Sequence, residues 1–278
     1  MALADHLREV RARLLKVAVV FVVGIVVAWF FYDQLFNLIL QPYNDARERL
    51  GESVETEPYI GGAGGPLLLR LKISALAALV LGSPLWLYQI WAFIVPGLHP
   101  NEKRWTRLFA AVAGPLFMAG VGLGYYVLPK GLEVLLSFTP ANVQSLLEFG
   151  DYFRFFTRMM LVFGVSFEIP LFVVLLNLAG VVSGKALGAH RPWIIVGTFV
   201  FAAVATPSTD PFSMVMLALP MTLLFLVSEV FARTVDRRRA KRAGNSDFDN
   251  LDDEEASPLV YERDSSDYRR SGLDEDDD

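Results

Sequence analysis

The sequence predicts an all-α membrane protein with six spans and both termini in the cytoplasm. Two observations carry that prediction. The first is apolarity: 54% of residues are hydrophobic and the mean hydropathy is +0.41, unusual for a soluble domain. The second is where Lys and Arg stand. Residues 1–16, 97–107, 183–192 and 232–242 carry fifteen of them, and the alternating stretches 40–66, 129–152 and 206–211 carry three. Basic loops stay on the cytoplasmic side, so strict alternation sets the number and direction of crossings.

Each span follows from its length, since about 20 apolar residues cross ~30 Å of hydrocarbon. Span one is read as 17–39, with Asp33 near its outer end, and span two as 67–95, with Arg70 and Lys72 snorkelling at its outer mouth. Span three covers 106–128, and span four covers 153–182 and contains Glu168. Spans five and six are short. Residues 193–205 reach about 20 Å and 212–227 about 24 Å at the helical rise. Only Thr206-Pro207-Ser208-Thr209-Asp210-Pro211 joins them, and prolines on either side stop helix propagation. Two short spans side by side call for local thinning of the bilayer. The alternative is that both helices run on through 190–192 and 228–232.

Loops and tail differ from this body. The outer loop 40–66 is acidic and ends in Gly61-Gly62-Ala63-Gly64-Gly65-Pro66. No Gly-Lys-Ser/Thr follows, so this is no phosphate-binding loop, and a flexible surface loop is expected. Residues 1–242 form the membrane domain, with 22 Lys/Arg against 16 Asp/Glu. Residues 243–278 hold 3 Arg and 14 Asp/Glu, the composition of a disordered tail. There is no Cys, which excludes disulfides and thiolate metal sites. The first apolar stretch is too long for a signal-peptide core.

Chemistry concentrates on a few carboxylates. No hydrolase, metalloprotease or nucleotide-binding motif is present, so no enzymatic activity, metal or cofactor is expected. The three histidines, His6, His99 and His190, fall in separate segments. Glu168 stands inside a span, in Phe163-Gly164-Val165-Ser166-Phe167-Glu168-Ile169-Pro170. A carboxyl group there needs a wet cavity, a partner or a proton. It is either a functional contact or a protonated structural group. Glu9 and Glu102 are acids set inside basic clusters. Carboxylates form two-pronged hydrogen bonds with guanidinium that Lys cannot reproduce, so two acids facing one pocket would suit a ligand with two arginines. Spacing alone favours internal pairing instead, Glu9 with Arg13 one helical turn on.

The segments His6-Leu7-Arg8-Glu9-Val10-Arg11-Ala12-Arg13-Leu14, Tyr88-Gln89-Ile90-Trp91-Ala92-Phe93-Ile94-Val95-Pro96-Gly97-Leu98, Asn101-Glu102-Lys103-Arg104, 163–170, Arg191-Pro192 and Thr206-Pro207 together resemble the TatC family. That family is the signal-receptor component of the twin-arginine protein translocase. The resemblance runs from about residue 3 to 232. It implies a glove-shaped bundle in the cytoplasmic membrane and export of folded proteins driven by the proton gradient. It implies that Glu9 and Glu102 bind the arginine pair of a signal peptide, with Arg11, Phe93, Lys103 and Arg104 around them. It implies that Pro42 is a functionally sensitive proline of the outer loop. Glu168 is implied to meet the inserted signal and single-span TatA- and TatB-like subunits, with a homo-oligomeric receptor complex in the bilayer. No nucleic-acid partner is expected. Pro100-Asn101 before Glu102 is less basic than in some relatives. The rival function is a proton-coupled secondary transporter using Glu168.

Overall fold

The computed structural model describes residues 2–50, 56–98, 103–138, 145–207 and 210–249, with backbone alone for 2–7, 56–57, 95–98, 103–106, 145–146 and 241–249. Nine helices and two short strands follow one another among these residues: α1 Ala2–Phe30, α2 Tyr32–Leu50, β1 Thr56–Tyr59, α3 Gly65–Leu81, α4 Ser83–Leu98, α5 Lys103–Ser137, β2 Ser145–Glu148, α6 Phe149–Leu178, α7 Gly184–Ala189, α8 Arg191–Ala205 and α9 Pro211–Asp249. By contacts the chain divides into Met1–Asp236 and Arg237–Asp278. The expected disorder of the tail falls largely on 250–278, outside the described residues.

Among the described residues, four helices are long and apolar enough to cross a membrane: the stretches Arg8–Phe30, Arg107–Ser137, Phe149–Leu178 and Pro211–Ala240. The pair α3–α4 makes a fifth if counted as one bent span, and Arg191–Ala205 is a shorter apolar helix. The surface matches that solvent. Along α1, Val19, Val22, Val23, Val26 and Val27 are all exposed, and an apolar face of that extent is stable only against lipid or another protein.

The structure corrects four expectations. The fold is nearly but not wholly helical, because Thr56–Tyr59 pairs in parallel with Ser145–Glu148. Span one does not run straight into a loop. It breaks at Phe31, and α2 then carries the chain through Pro42 to Leu50, so the first half of the predicted outer loop is helix. Span two is two helices, bent by 55° between Leu81 and Ser83. Pro84 removes an N–H and crowds the preceding turn, and a Cβ on Gly82 would stand 2.5 Å from the Ala78 carbonyl oxygen. Span six is not short. Helix α9 passes Val227 without interruption, and the first charges beyond it, Glu229 and Arg233, are paired within the fold. Helix α8 does stay short, at 15 residues. It ends where the Thr206 hydroxyl folds back on the Ala202 carbonyl and Pro207 follows.

The glycine-rich turn is ordered around one residue. Gly62 has φ +75°, a conformation that disfavours any side chain. The Gly65 N–H then bonds the Gly62 carbonyl and Pro66 opens α3, where a missing N–H is harmless.

Pro42 is buried inside α2 and leaves the Leu38 carbonyl without its helical donor. The Tyr125 hydroxyl of α5 donates to that carbonyl at 2.9 Å, and the buried Tyr152 hydroxyl of α6 donates to the adjacent Ile39 carbonyl. Around them Phe36 stacks on Phe149 at 5.0 Å, Tyr152 meets Phe149 edge-on and Tyr43 contacts Tyr152. The proline thus creates the acceptor by which α2 docks on α5. Helices α5 and α6 approach closely because Gly120 faces the Phe163 carbonyl, where a Cβ would lie 2.5 Å away. Small residues let membrane helices meet backbone to backbone in this way.

Tyr125→Phe should lower stability by about 1 kcal/mol, the net worth of one hydrogen bond. In a Pro42→Ala background the same substitution should have little effect, since an alanine N–H can take the Leu38 carbonyl. Denaturant melts of the four proteins in detergent check this. Equal losses in both backgrounds would contradict the assignment.

Candidate functional site

Two regions hold carboxylates singled out by sequence, and a third holds one that was not. At one end stand the start of α1, the end of α4 and the start of α5. Glu9 is exposed on α1 and accepts from Arg13 Nε at 3.1 Å and from an Arg13 terminal nitrogen at 2.6 Å. This is the internal pairing that spacing favours. Arg11 is exposed on the same helix. Phe93 is half-buried near the end of α4. Glu102 lies outside the described residues, and Lys103 and Arg104 open α5 with only their backbone described.

The register of α1 on α3 relates these elements. The helices run antiparallel. A Cβ on Gly24 would stand 2.9 Å from Ala78 Cβ, and one on Gly82 would stand 3.6 Å from a Val20 methyl. Eleven residues before Val20 is Glu9, and eleven after Gly82 is Phe93. The fixed register therefore sends the Glu9 end of α1 and the Gly82 end of α3 in the same direction, and α4 carries Phe93 onward from that end at a bend of 55°.

The second region is Glu168, on α6. Val165, Ile169 and Phe172 are exposed around it at one-turn spacings, so it sits on an apolar outward stripe. Its two carboxyl oxygens are nevertheless shielded. Behind it, the Ser228 hydroxyl of α9 donates to the Pro170 carbonyl at 3.0 Å and ties α9 to the middle of α6.

The third region is one that sequence reasoning missed. Glu229, 1% exposed, accepts from Arg191 Nε at 2.9 Å and a terminal nitrogen at 2.7 Å, and from Arg233 at 2.7 Å. Asp236 accepts from the Gly184 N–H at 2.6 Å and from the Asn177 side-chain amide at 3.0 Å. This network joins the end of α6, α7, the first turn of α8 and the last apolar turn of α9. The available signal was a lone carboxylate at the border of an apolar run with Arg233 one turn on. The distant partner Arg191, 38 residues away, left no local trace.

The sequence profile of the Sec-independent protein translocase protein (TatC) matches residues 5–220. The chain belongs to the TatC family. It is 42% identical to the Sec-independent protein translocase protein TatC of Frankia casuarinae over 94% of this chain and 74% of that protein. It is 32% identical to the Escherichia coli protein of the same name, over 83% of this chain and 88% of that one. A crystal structure described as the twin arginine translocase receptor TatC superposes with a TM-score of 0.65 at 31% identity, covering 82% of this chain and 98% of the other. A second, in the detergent DDM, gives 0.66 at 32% identity over 82% and 99%. The profile, both relatives and both crystal structures are those of a translocase component, with no support for a solute transporter.

The fork between Arg191 and Glu229 makes a stability prediction for this TatC chain. Arg191→Ala should lower the melting temperature, and Arg191→Lys should recover only part of the loss, since an ammonium cannot reproduce two parallel hydrogen bonds. Full recovery by lysine would mean that charge alone matters there.

Proposed function

We propose that this chain is the receptor of a twin-arginine translocase. In this reading it crosses the cell membrane six times with both termini in the cytoplasm. The crossings are α1, the bent pair α3–α4, α5, α6, the short α8 and α9. It reads the arginine pair of a signal peptide through Glu9 and Glu102, and it organises single-span TatA- and TatB-like partners around Glu168 for export of folded proteins. It performs no catalysis itself, assembles as a homo-oligomer, and keeps its tail 243–278 in the cytoplasm as an extension outside the membrane domain.

One observation carries the reading: the antiparallel register that sends Glu9 and Phe93 toward the same end. By the charge pattern that end is cytoplasmic, and Glu102 lies in sequence between α4 and Lys103 and Arg104, which open α5. Two acids are then presented where a signal peptide arrives. The pairing of Glu9 with Arg13 is compatible with this role. An exposed ion pair stabilises by only about 0–1 kcal/mol, so a signal-peptide guanidinium can displace Arg13 at little cost. Arg11, Lys103 and Arg104 stand close to the two acids in sequence and, in this reading, keep the charge of the site mixed. Pro42 is sensitive in this account because the acceptor it exposes anchors α2 to α5 and α6. The exposed apolar stripe around Glu168 supports a docking face for a membrane helix.

Glu9→Ala with Glu102→Ala should abolish binding of an Arg-Arg signal peptide while insertion and melting temperature stay near wild type. Titration of a labelled peptide against the purified protein tests it. Wild-type affinity in the double variant would remove both residues from the site.

A further inference from the structure

Two arginines converge on one buried carboxylate at the edge of the lipid-facing surface. Arg191 of α8 and Arg233 of α9 each place a terminal nitrogen 2.7 Å from the same oxygen, Oε1 of Glu229. Those nitrogens are therefore no further apart than twice that distance. Glu229 is buried, yet both arginine side chains are 44% exposed. Together they carry more N–H donors than one carboxylate can accept. Two more charged residues stand beside them. Asp236 accepts from the Gly184 N–H and from Asn177, and Lys185 follows Gly184, whose carbonyl accepts from Arg233 Nε. With these included, three cations face two acids, and a positive charge is left over. The surroundings are those of a lipid headgroup. Trp193, two residues past Arg191, is exposed, as tryptophan is at membrane–water interfaces. Leu223, Val227 and Val230 form an exposed apolar stripe on α9, and Arg233 stands one turn beyond Val230.

We propose that Arg191 and Arg233 bind the phosphate of an anionic phospholipid whose acyl chains lie along α8 and α9. Two guanidinium groups this close repel one another, and Glu229 holds them together while neutralising only one of them. The two free oxygens of a phosphodiester can accept from one arginine each, in the charge-assisted geometry that guanidinium favours. Basic pockets between membrane helices take anionic headgroups in the same way. A zwitterionic lipid offers the same phosphate but brings an ammonium to a cluster that is already cationic. Free phosphate lacks the chains that cover the apolar stripe. A lipid held here pins the membrane surface to the first turn of α8, the helix that at 15 residues is too short for a full bilayer.

The test is native mass spectrometry of the full chain in detergent with equal amounts of phosphatidylglycerol and phosphatidylcholine. Phosphatidylglycerol is expected to be retained about fivefold better, the scale of one basic side chain at a membrane surface. Arg233→Gln keeps a donor for Glu229 but removes the excess charge, and it should erase the preference. Arg154→Gln removes an exposed arginine of α6 and should leave the preference intact. Equal retention of the two lipids by the unmutated protein overturns the proposal, and so does equal loss of preference in both variants. Inorganic phosphate added at the lipid's concentration should displace nothing. If it displaces the phosphatidylglycerol, the site is one for free phosphate and the lipid assignment fails. A second measurement leaves the arginines untouched and so guards against a misfolded variant. In nanodiscs, phosphatidylglycerol with brominated chains should quench tryptophan fluorescence more than brominated phosphatidylcholine at the same fraction. Trp193→Phe should remove that excess. No excess, or an excess that survives Trp193→Phe, overturns the placement of the lipid beside α8.

Discussion

Hydrocarbon supplies no hydrogen bonds, so polar groups within the apolar body must find partners inside the chain or on another one. Much of this structure follows from that constraint. Pro42 frees a carbonyl, and Tyr125 answers it. Ser228 reaches the Pro170 carbonyl from a neighbouring helix. Glu229 is held between Arg191 and Arg233. Each tie spans two helices, so the devices that satisfy polar groups also fix which helices are neighbours. Glu168 breaks the pattern. Among the described residues it is a carboxyl group with both oxygens shielded and no ion-pair partner, on a stripe of exposed apolar side chains.

That contrast bears on how such a protein works. A receptor that assembles with membrane partners has to leave some polar capacity unused within its own fold and show it to the bilayer. The long ties at the Arg191 end hold α8 and α9 against α6 through charged groups. Helix α8, at 15 residues, covers only about 22 Å, short of the ~30 Å of hydrocarbon. A short helix needs a firm anchor at one end, and the Arg191–Glu229 fork in its first turn supplies it.

Sequence patterns carry the architecture further than they carry the site. Apolar run lengths and the alternation of Lys and Arg locate the helices, because those signals are local and repeated. The bend between α3 and α4 was written in Gly82-Ser83-Pro84 and is overlooked when only total apolar length is measured. The parallel pairing of Thr56–Tyr59 with Ser145–Glu148 was not legible, since each strand has four residues and its partner lies some ninety positions away. Glu168 was visible as a carboxylate in an apolar run. Glu229 fell beyond the predicted end of span six, and a helix end assigned by apolarity alone hides any charge that a distant arginine neutralises.

The central claim is that this TatC chain recognises guanidinium groups through carboxylates. The most direct measurement is the affinity of the purified protein for a twin-arginine signal peptide beside the same peptide with both arginines changed to lysine. The account predicts a clear loss with lysine, because a point charge cannot form the two-pronged contact. Equal affinity for the two peptides would mean attraction by charge alone and would contradict it.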